Sequence, residues 1–321
     1  MATEIELIDA LDSRVKRRED RRAFFKAFGT ASALAGGFGL TTKAAFAQAA
    51  PSDADILNFA LNLEYLEAQF YSYAANGVGL AANLLTGTGT AGAATGGRQA
   101  TFTDPLVAQY AREIAADEIA HVTFLRNAIG ATAVAQPAID IGASPTGAFS
   151  NAARAAGLIG PGQAFDPYAS DEAFLLAAYI FEDVGVTAYK GASPLLTSKV
   201  FLEAAAGILA VEAYHASIVR TTLYAKGMQT PTAMIGTRTI IEATEAVSGA
   251  RDSLDGASDL DQGVRAIGTS SNIVPLDENG LAYSRSYQQV LNIVYLNNTA
   301  VTGGGFFPAG VNGPLRMSAA N

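Results

Sequence analysis

Apolar residues recur at three- and four-residue intervals along four long stretches of this chain, separated by Gly, Pro and capping residues. Ile56, Leu57, Ala60, Leu63, Ala68, Phe70 and Tyr71 follow the helical period, which predicts a helix from about Asp53 to Asn76, stopped at Asn76-Gly77. A Gly/Ala/Thr-rich connection over 77–103 leads into Thr103-Asp104-Pro105, an N-cap with proline in the first turn. The second helix then runs to about Ile129, ahead of Gly130. Four prolines within 131–169 rule out one continuous helix there. Ser170-Asp171-Glu172 opens a third helix that reaches about Gly191, and Pro194 interrupts. A fourth runs from about Ser198 to Lys226, with Gly227 as the expected stop. Few segments alternate strongly enough to be strands. Short helices near 240–252 and 284–297 are expected within an otherwise irregular tail.

A hairpin, a long crossover and a second hairpin make an all-α chain of the ferritin-like four-helix-bundle type. The expected division is a leader over 1–47, the bundle over 48–230, and a C-terminal extension over 231–321 packed on it.

Composition narrows the chemistry. Half of the 321 residues are hydrophobic, enough for a sizeable core, and only 16% are charged. The absence of cysteine excludes disulfides, thiolate metal sites and a cysteine nucleophile. A net charge of −9 has the wrong sign for a phosphate-binding surface, so no nucleic-acid partner is expected.

The leader reads differently from the rest. Arg21-Arg22 precede Phe24-Phe25, an uncharged Gly/Ala-rich stretch from Ala27 to Thr42, and Ala45-Phe46-Ala47. This resembles a twin-arginine export signal with a small-x-small cleavage site. The expectation is an exported protein, periplasmic or extracellular, that meets the twin-arginine translocase on its way out. Its mature chain would start near Gln48 with a charge of −11. Nothing after the leader reads as a transmembrane helix.

Both histidines of the chain lie three residues after a glutamate, in Glu118-Ile119-Ala120-His121 and Glu212-Ala213-Tyr214-His215. That spacing puts both side chains on one helix face. The other two helices carry Glu64 and Glu182, each followed by a tyrosine seven residues on, Tyr71 and Tyr189. The result is an internal repeat: Glu64 with Tyr71 matches Glu182 with Tyr189, and Glu118, His121 and Arg126 match Glu212, His215 and Arg220. A bundle with this near-twofold symmetry converges four glutamates and two histidines on its centre, the donor set of di-iron and di-manganese carboxylate proteins. Oxygen and imidazole donors suit iron or manganese, and four carboxylates neutralise two divalent ions. Glu67 shares nearly the same face as Glu64 and is an additional or outer ligand. Tyr71 and Tyr189 are read as core residues hydrogen-bonded to ligands. Arg126 and Arg220 are expected at the surface, and Glu113, Asp117, Asp183 and Glu203 in solvent or capping neighbouring helices.

With these residues in view, the chain resembles the ferritin-like domain proteins that include plant and bacterial desiccation-related proteins, over most of 50–315. The resemblance rests on Leu63-Glu64-Tyr65-Leu66-Glu67-Ala68, the two Glu-x-x-His elements, Val274-Pro275-Leu276-Asp277-Glu278-Asn279-Gly280-Leu281-Ala282-Tyr283, and Phe306-Phe307-Pro308-Ala309-Gly310-Val311-Asn312-Gly313. The four-helix core is more distantly similar to rubrerythrin, bacterioferritin and manganese catalase. The resemblance implies a stress-associated protein, and the distant relatives imply metal-dependent dioxygen or peroxide chemistry. Glu64 and Glu182 would then be terminal ligands, Glu118 and Glu212 bridging carboxylates, and His121 and His215 one nitrogen donor per metal. No rubredoxin-like cysteine cluster is present to supply electrons, and the long tail argues against a storage cage. The alternatives are a non-enzymatic structural protectant and a metal-sequestering protein, and the sequence admits a homo-oligomer.

Overall fold

A computed structural model describes residues 50–321; the export-signal reading of 1–47 lies outside the described residues. The bundle is built from α1 (Asp53–Asn76), α2 (Pro105–Ile129), α4 (Asp171–Ala192) and α5 (Lys199–Gln229), with a short α3 (Ala148–Ala155) in the crossover. The extension contributes α6 (Ile240–Asp255) and α7 (Tyr287–Val294). The fold is all-α and ferritin-like. Among the described residues the only strands are two-residue pairs, parallel between Ala94–Thr95 and Ile139–Asp140 and antiparallel between Met234–Ile235 and Arg238–Thr239.

The helix starts follow side-chain chemistry. Ser52 and Asp55 form a reciprocal capping box on α1, Asp104 caps α2 with Pro105 behind it, and Ser170 and Ser198 cap α4 and α5. Gly77 ends α1 in the left-handed region, at φ 74°. Gly227 does not end α5, which continues to Gln229. Gly227 is buried instead, and a Cβ there would lie 2.6 Å from Ile241 Cγ1, so the residue lets α6 approach α5 closely.

α1 packs chiefly on α2 and α4 on α5, so the two hairpins are the units of the bundle. One end of the core is aromatic. Phe70 meets Phe149, Tyr168, Phe174 and Phe181, and Phe306 from the extension completes the group against Phe149 and Phe181. The extension is also held by polar contacts. Asn62 on α1 bonds the backbone of Asn312 in both directions, at 2.9 Å each.

By length and composition alone α5 is apolar enough to cross a membrane. Its inward face, however, carries Glu212, His215 and Arg220, all buried.

Candidate metal centre

Each bundle helix presents one carboxylate to the centre. α1 supplies Glu64, α2 supplies Glu118 with His121, α4 supplies Glu182, and α5 supplies Glu212 with His215. The i, i+3 spacing on α2 and α5 turns each glutamate and its histidine to the same side. All six residues are buried. Their donor atoms form two groups, each with every atom within 4.8 Å of the others: Glu64, Glu118, His121 and Glu212 in one, Glu118, Glu182 and His215 in the other. Glu118 belongs to both, whereas Glu212, also expected to bridge, belongs to one.

The distances show how Glu118 is shared. His121 Nδ1 lies 3.2 Å from Glu64 Oε2, 3.6 Å from Glu118 Oε2 and 3.8 Å from Glu212 Oε1. His215 Nδ1 lies 3.1 Å from Glu118 Oε1 and 3.7 Å from Glu182 Oε2. The tyrosines cross between the hairpins' first helices: Tyr71 on α1 donates to Glu182 Oε1, and Tyr189 on α4 donates to Glu64 Oε1.

Much of this polarity has no hydrogen-bond partner. Both oxygens of Glu118, both of Glu212, Oε2 of Glu182 and Nδ1 of His215 are buried without one. Isolated buried polar atoms each cost about 1–3 kcal/mol, so six in one spot need a common explanation. A pair of cations would supply it. The donors are hard oxygens plus two imidazoles, and they face one another. The residues fit a dinuclear metal site.

Without cations the fold can hold this cluster only by keeping protons. Burial, then the charge of Glu118, raises the Glu64 carboxyl to about 7. Burial raises Glu182 to about 8, with the charge of Glu118 adding to it. Glu212 and Glu67 are pushed well above the usual carboxylate range by burial and by the surrounding carboxylates. Burial also opposes ionisation of Glu118, but His121 and His215 close beside it override that and hold the group at about 2. Burial likewise disfavours the charged histidines, yet their carboxylate neighbours raise His121 to about 11 and His215 to about 9.

Glu67 is buried but belongs to neither group of donors. It borders a small cavity of about 20 Å³ walled by Leu66, Ile180, Phe181, Val184 and Phe306. Glu113 and Glu203 are exposed, as expected for solvated helix faces.

Two expectations are corrected. Arg220 and Asp183 are not surface residues; both are buried and paired at 2.7 Å. Arg251 bridges Asp183 and Asp261, and Arg285 bridges Asp255 and Asp261, so three buried arginines balance three buried aspartates under the extension. Arg220 also donates to the carbonyls of Gln262, Gly263, Asn272 and Ile273. The extension removes these groups from water, and pairing is what makes buried charge tolerable. Arg126 is only partly buried and donates to Tyr65 Oη at 2.5 Å and to the Thr86 carbonyl. The recurrence of an arginine five residues after each histidine was the available signal.

Asp117 keeps much of its side chain in solvent, as expected, yet it also reaches a histidine of the cluster. Its Oδ2 lies 3.1 Å from His215 Nε2, on the ring edge opposite the cluster. Gly185, one turn after Glu182, went unnoticed; its missing side chain leaves the space that the Glu212 carboxylate occupies.

Comparison with known proteins agrees with this architecture. The family model described as Ferritin-like domain matches residues 52–225. The chain is 30% identical over 274 residues to the ferritin-like catalase Nec2 of Nesocodon mauritianus, covering 82% of this chain and 85% of that protein. It is 32% identical over 254 residues to the desiccation-related protein PCC13-62 of Craterostigma plantagineum, covering 75% of this chain and 76% of that one. No solved structure matches significantly. With its four-helix core, its buried carboxylate–histidine cluster and these matches, the chain belongs to the ferritin-like domain family.

Proposed function

We propose that this protein is an exported dinuclear metalloprotein that turns over peroxide or dioxygen in protection against oxidative or desiccation stress. The observation that carries the reading is the buried set of four glutamates and two histidines whose facing atoms lack hydrogen-bond partners. Glu64, His121 and Glu212 would hold one ion, Glu182 and His215 the other, and Glu118 both. Two iron or manganese ions would supply the redox equivalents and Lewis acidity for reducing or disproportionating a small oxygen species.

The protein's own groups shape that chemistry. Tyr71 and Tyr189 each fix one oxygen of a terminal carboxylate, leaving the other free to face its ion. Phe181, Ile180 and Phe306 wall the adjacent cavity, whose volume of about 20 Å³ admits molecules near the size of water. Exclusion of bulk water strengthens the electrostatics inside and limits the substrate to small species. A relative named as a catalase supports peroxide as the substrate, and one named as desiccation-related supports the stress setting. The Arg21-Arg22 leader supports export of an already folded, loaded protein; replacing both arginines by lysine should retain the precursor in the cytoplasm.

Elemental analysis of the purified protein, followed by oxygen-electrode assays with hydrogen peroxide, tests the reading. Two ions per chain and oxygen evolution lost in Glu118→Ala with helicity retained are expected. Loaded protein inert to peroxide and to dioxygen, with and without reductant, would favour sequestration or structural protection instead.

A further inference from the structure

We propose that Asp117 is a positioning residue for one of the two metal positions only, the one built on His215. The inference rests on the dinuclear reading above and makes the two positions chemically unequal.

The geometry is specific. Asp117 Oδ2 stands 3.1 Å from His215 Nε2, while Nδ1 of the same ring faces Glu118 and Glu182. A neutral imidazole carries one proton, and a carboxylate beside Nε2 holds it there. The Nδ1 lone pair is then aimed at the donor cluster, and the ring is both more basic and fixed in rotation. Asp117 sits on α2 and His215 on α5, so the contact also pins the ring across two helices that otherwise touch sparingly.

His121 has no such support. Its partners among the described residues all lie on the Nδ1 side: Glu64, Glu118 and Glu212. The reason is visible in the repeat. Asp117 precedes Glu118, and the residue that precedes Glu212 is Val211, which cannot accept a proton. The donor count differs in the opposite sense, with four residues converging at the His121 position and three at the His215 position. The first position is organised by its number of ligands. The second depends on a correctly held imidazole, and that is what Asp117 supplies.

The test is anaerobic titration of metal-free protein with Co²⁺ against a competing chelator, read by the cobalt d–d absorption. Wild type should take up two equivalents. Asp117→Ala should leave one equivalent within about twofold of wild type and weaken the other by ~10–100-fold, the usual worth of a carboxylate behind a histidine ligand. Asp117→Asn, which can still accept the bond without charge, should fall between. In a His215→Ala background, Asp117→Ala should change nothing further. In the cobalt-loaded wild type, NMR should show one slowly exchanging imidazole N–H that disappears in Asp117→Ala while the helical circular dichroism persists. Equal weakening of both equivalents, erased by 0.5 M salt, would mean that Asp117 merely attracts cations, and would overturn the proposal. So would two unchanged equivalents in Asp117→Ala. A wild type that binds no cobalt, iron or manganese in excess would instead refute the dinuclear reading itself.

Discussion

Replacing Gly185 by alanine should damage metal binding far more than it damages the fold. Gly185 lies inside α4, three residues after Glu182, where that helix faces α5. An added Cβ would overlap Glu212 Oε2 outright, stand 3.1 Å from its Cδ and lie 3.6 Å from Glu67 Oε1. Ordinary carbon–carbon contact begins near ~3.5–4.0 Å, so the Glu212 carboxylate must retreat by about 0.5–1 Å. Metal–ligand distances tolerate only about 0.2 Å, so the retreat removes Glu212 as a donor. Outer hydrogen-bond partners alone are worth ~10–100-fold in affinity, and loss of a direct ligand should cost at least the upper end of that range. Stability responds differently because two effects oppose each other. Alanine in a helix interior gains about 1 kcal/mol over glycine, while overpacking costs about 1–3 kcal/mol. The metal-free melting temperature should therefore fall by no more than about 8 °C. Gly207→Ala on α5 is the control, since nothing lies within 4 Å of a Cβ there; it should be neutral or slightly stabilising and bind both ions. Cobalt titrations and thermal melts of the three proteins decide the matter. A Gly185→Ala protein that binds two ions as tightly as wild type would refute the argument.

Acidity gives a signed expectation. Glu64 and Glu182 are raised to about 7 and 8, and His215 and His121 to about 9 and 11. All four hold protons more tightly in the metal-free fold than in the unfolded chain, so their stabilisation is complete at low pH and is lost as pH climbs through those values. Glu118, held at about 2, acts oppositely, but only as pH falls below its ordinary value. The metal-free melting temperature should therefore decline between pH 5 and 9 while metal affinity rises and protons are released on loading; affinity flat over pH 6–9 would contradict this. Tyr71→Phe and Tyr189→Phe each strip a hydrogen bond from a different buried carboxylate. Each should destabilise the metal-free protein by about 1–3 kcal/mol in urea unfolding, and the two losses should add; strong non-additivity would show that the hydroxyls act as one unit. Asp183→Ala leaves Arg220 and Arg251 short of their shared anion and should cost about 3–5 kcal/mol. A change below about 1 kcal/mol would show the network to be dispensable.

How much of this could be read from the sequence depended on whether local chemistry decides the outcome. The starts of α1, α2 and α4 were legible because Ser52, Asp104 and Ser170 bond the first free amides of their own helices. The end of α5 was not, because Gly227 serves a contact with Ile241 in a different element. Four of the six donor residues could be singled out because a glutamate and a histidine three apart must share a helix face whatever surrounds them, and Glu64 and Glu182 by the tyrosine seven residues after each. Asp183 could not be placed: its position next to Glu182 says nothing about Arg251, which reaches it and also pairs with Asp261 once the extension wraps the second hairpin. The contact of the partly exposed Asp117 with His215 was hidden for a similar reason. The partner sits 98 residues away on α5, and nothing in the immediate sequence of Asp117 marks it as other than solvated.

The internal repeat is largely kept among the donors and abandoned immediately outside. Glu64 and Glu182, His121 and His215, and the crossed tyrosines Tyr71 and Tyr189 occupy matching roles in the geometry, whereas Glu118 belongs to both donor groups and Glu212 to one. One residue beyond Glu64 stands Tyr65, a neutral partner for the partly exposed Arg126. One residue beyond Glu182 stands Asp183, an anionic partner for the fully buried Arg220. The difference follows from what covers each hairpin. The Arg126 guanidinium remains near water beside the Thr86 loop and has no need of a counter-charge. Arg220 lies beneath the extension, where an unpaired guanidinium would be prohibitively costly, so its neighbour must be ionised. The departure at Asp117 and Val211 is of another kind, because neither is buried by the extension and the change falls on a histidine that faces the centre. Packing accounts for the first asymmetry. The inequality proposed for the two metal positions would account for the second, in keeping with four residues converging at the His121 position and three at the His215 position.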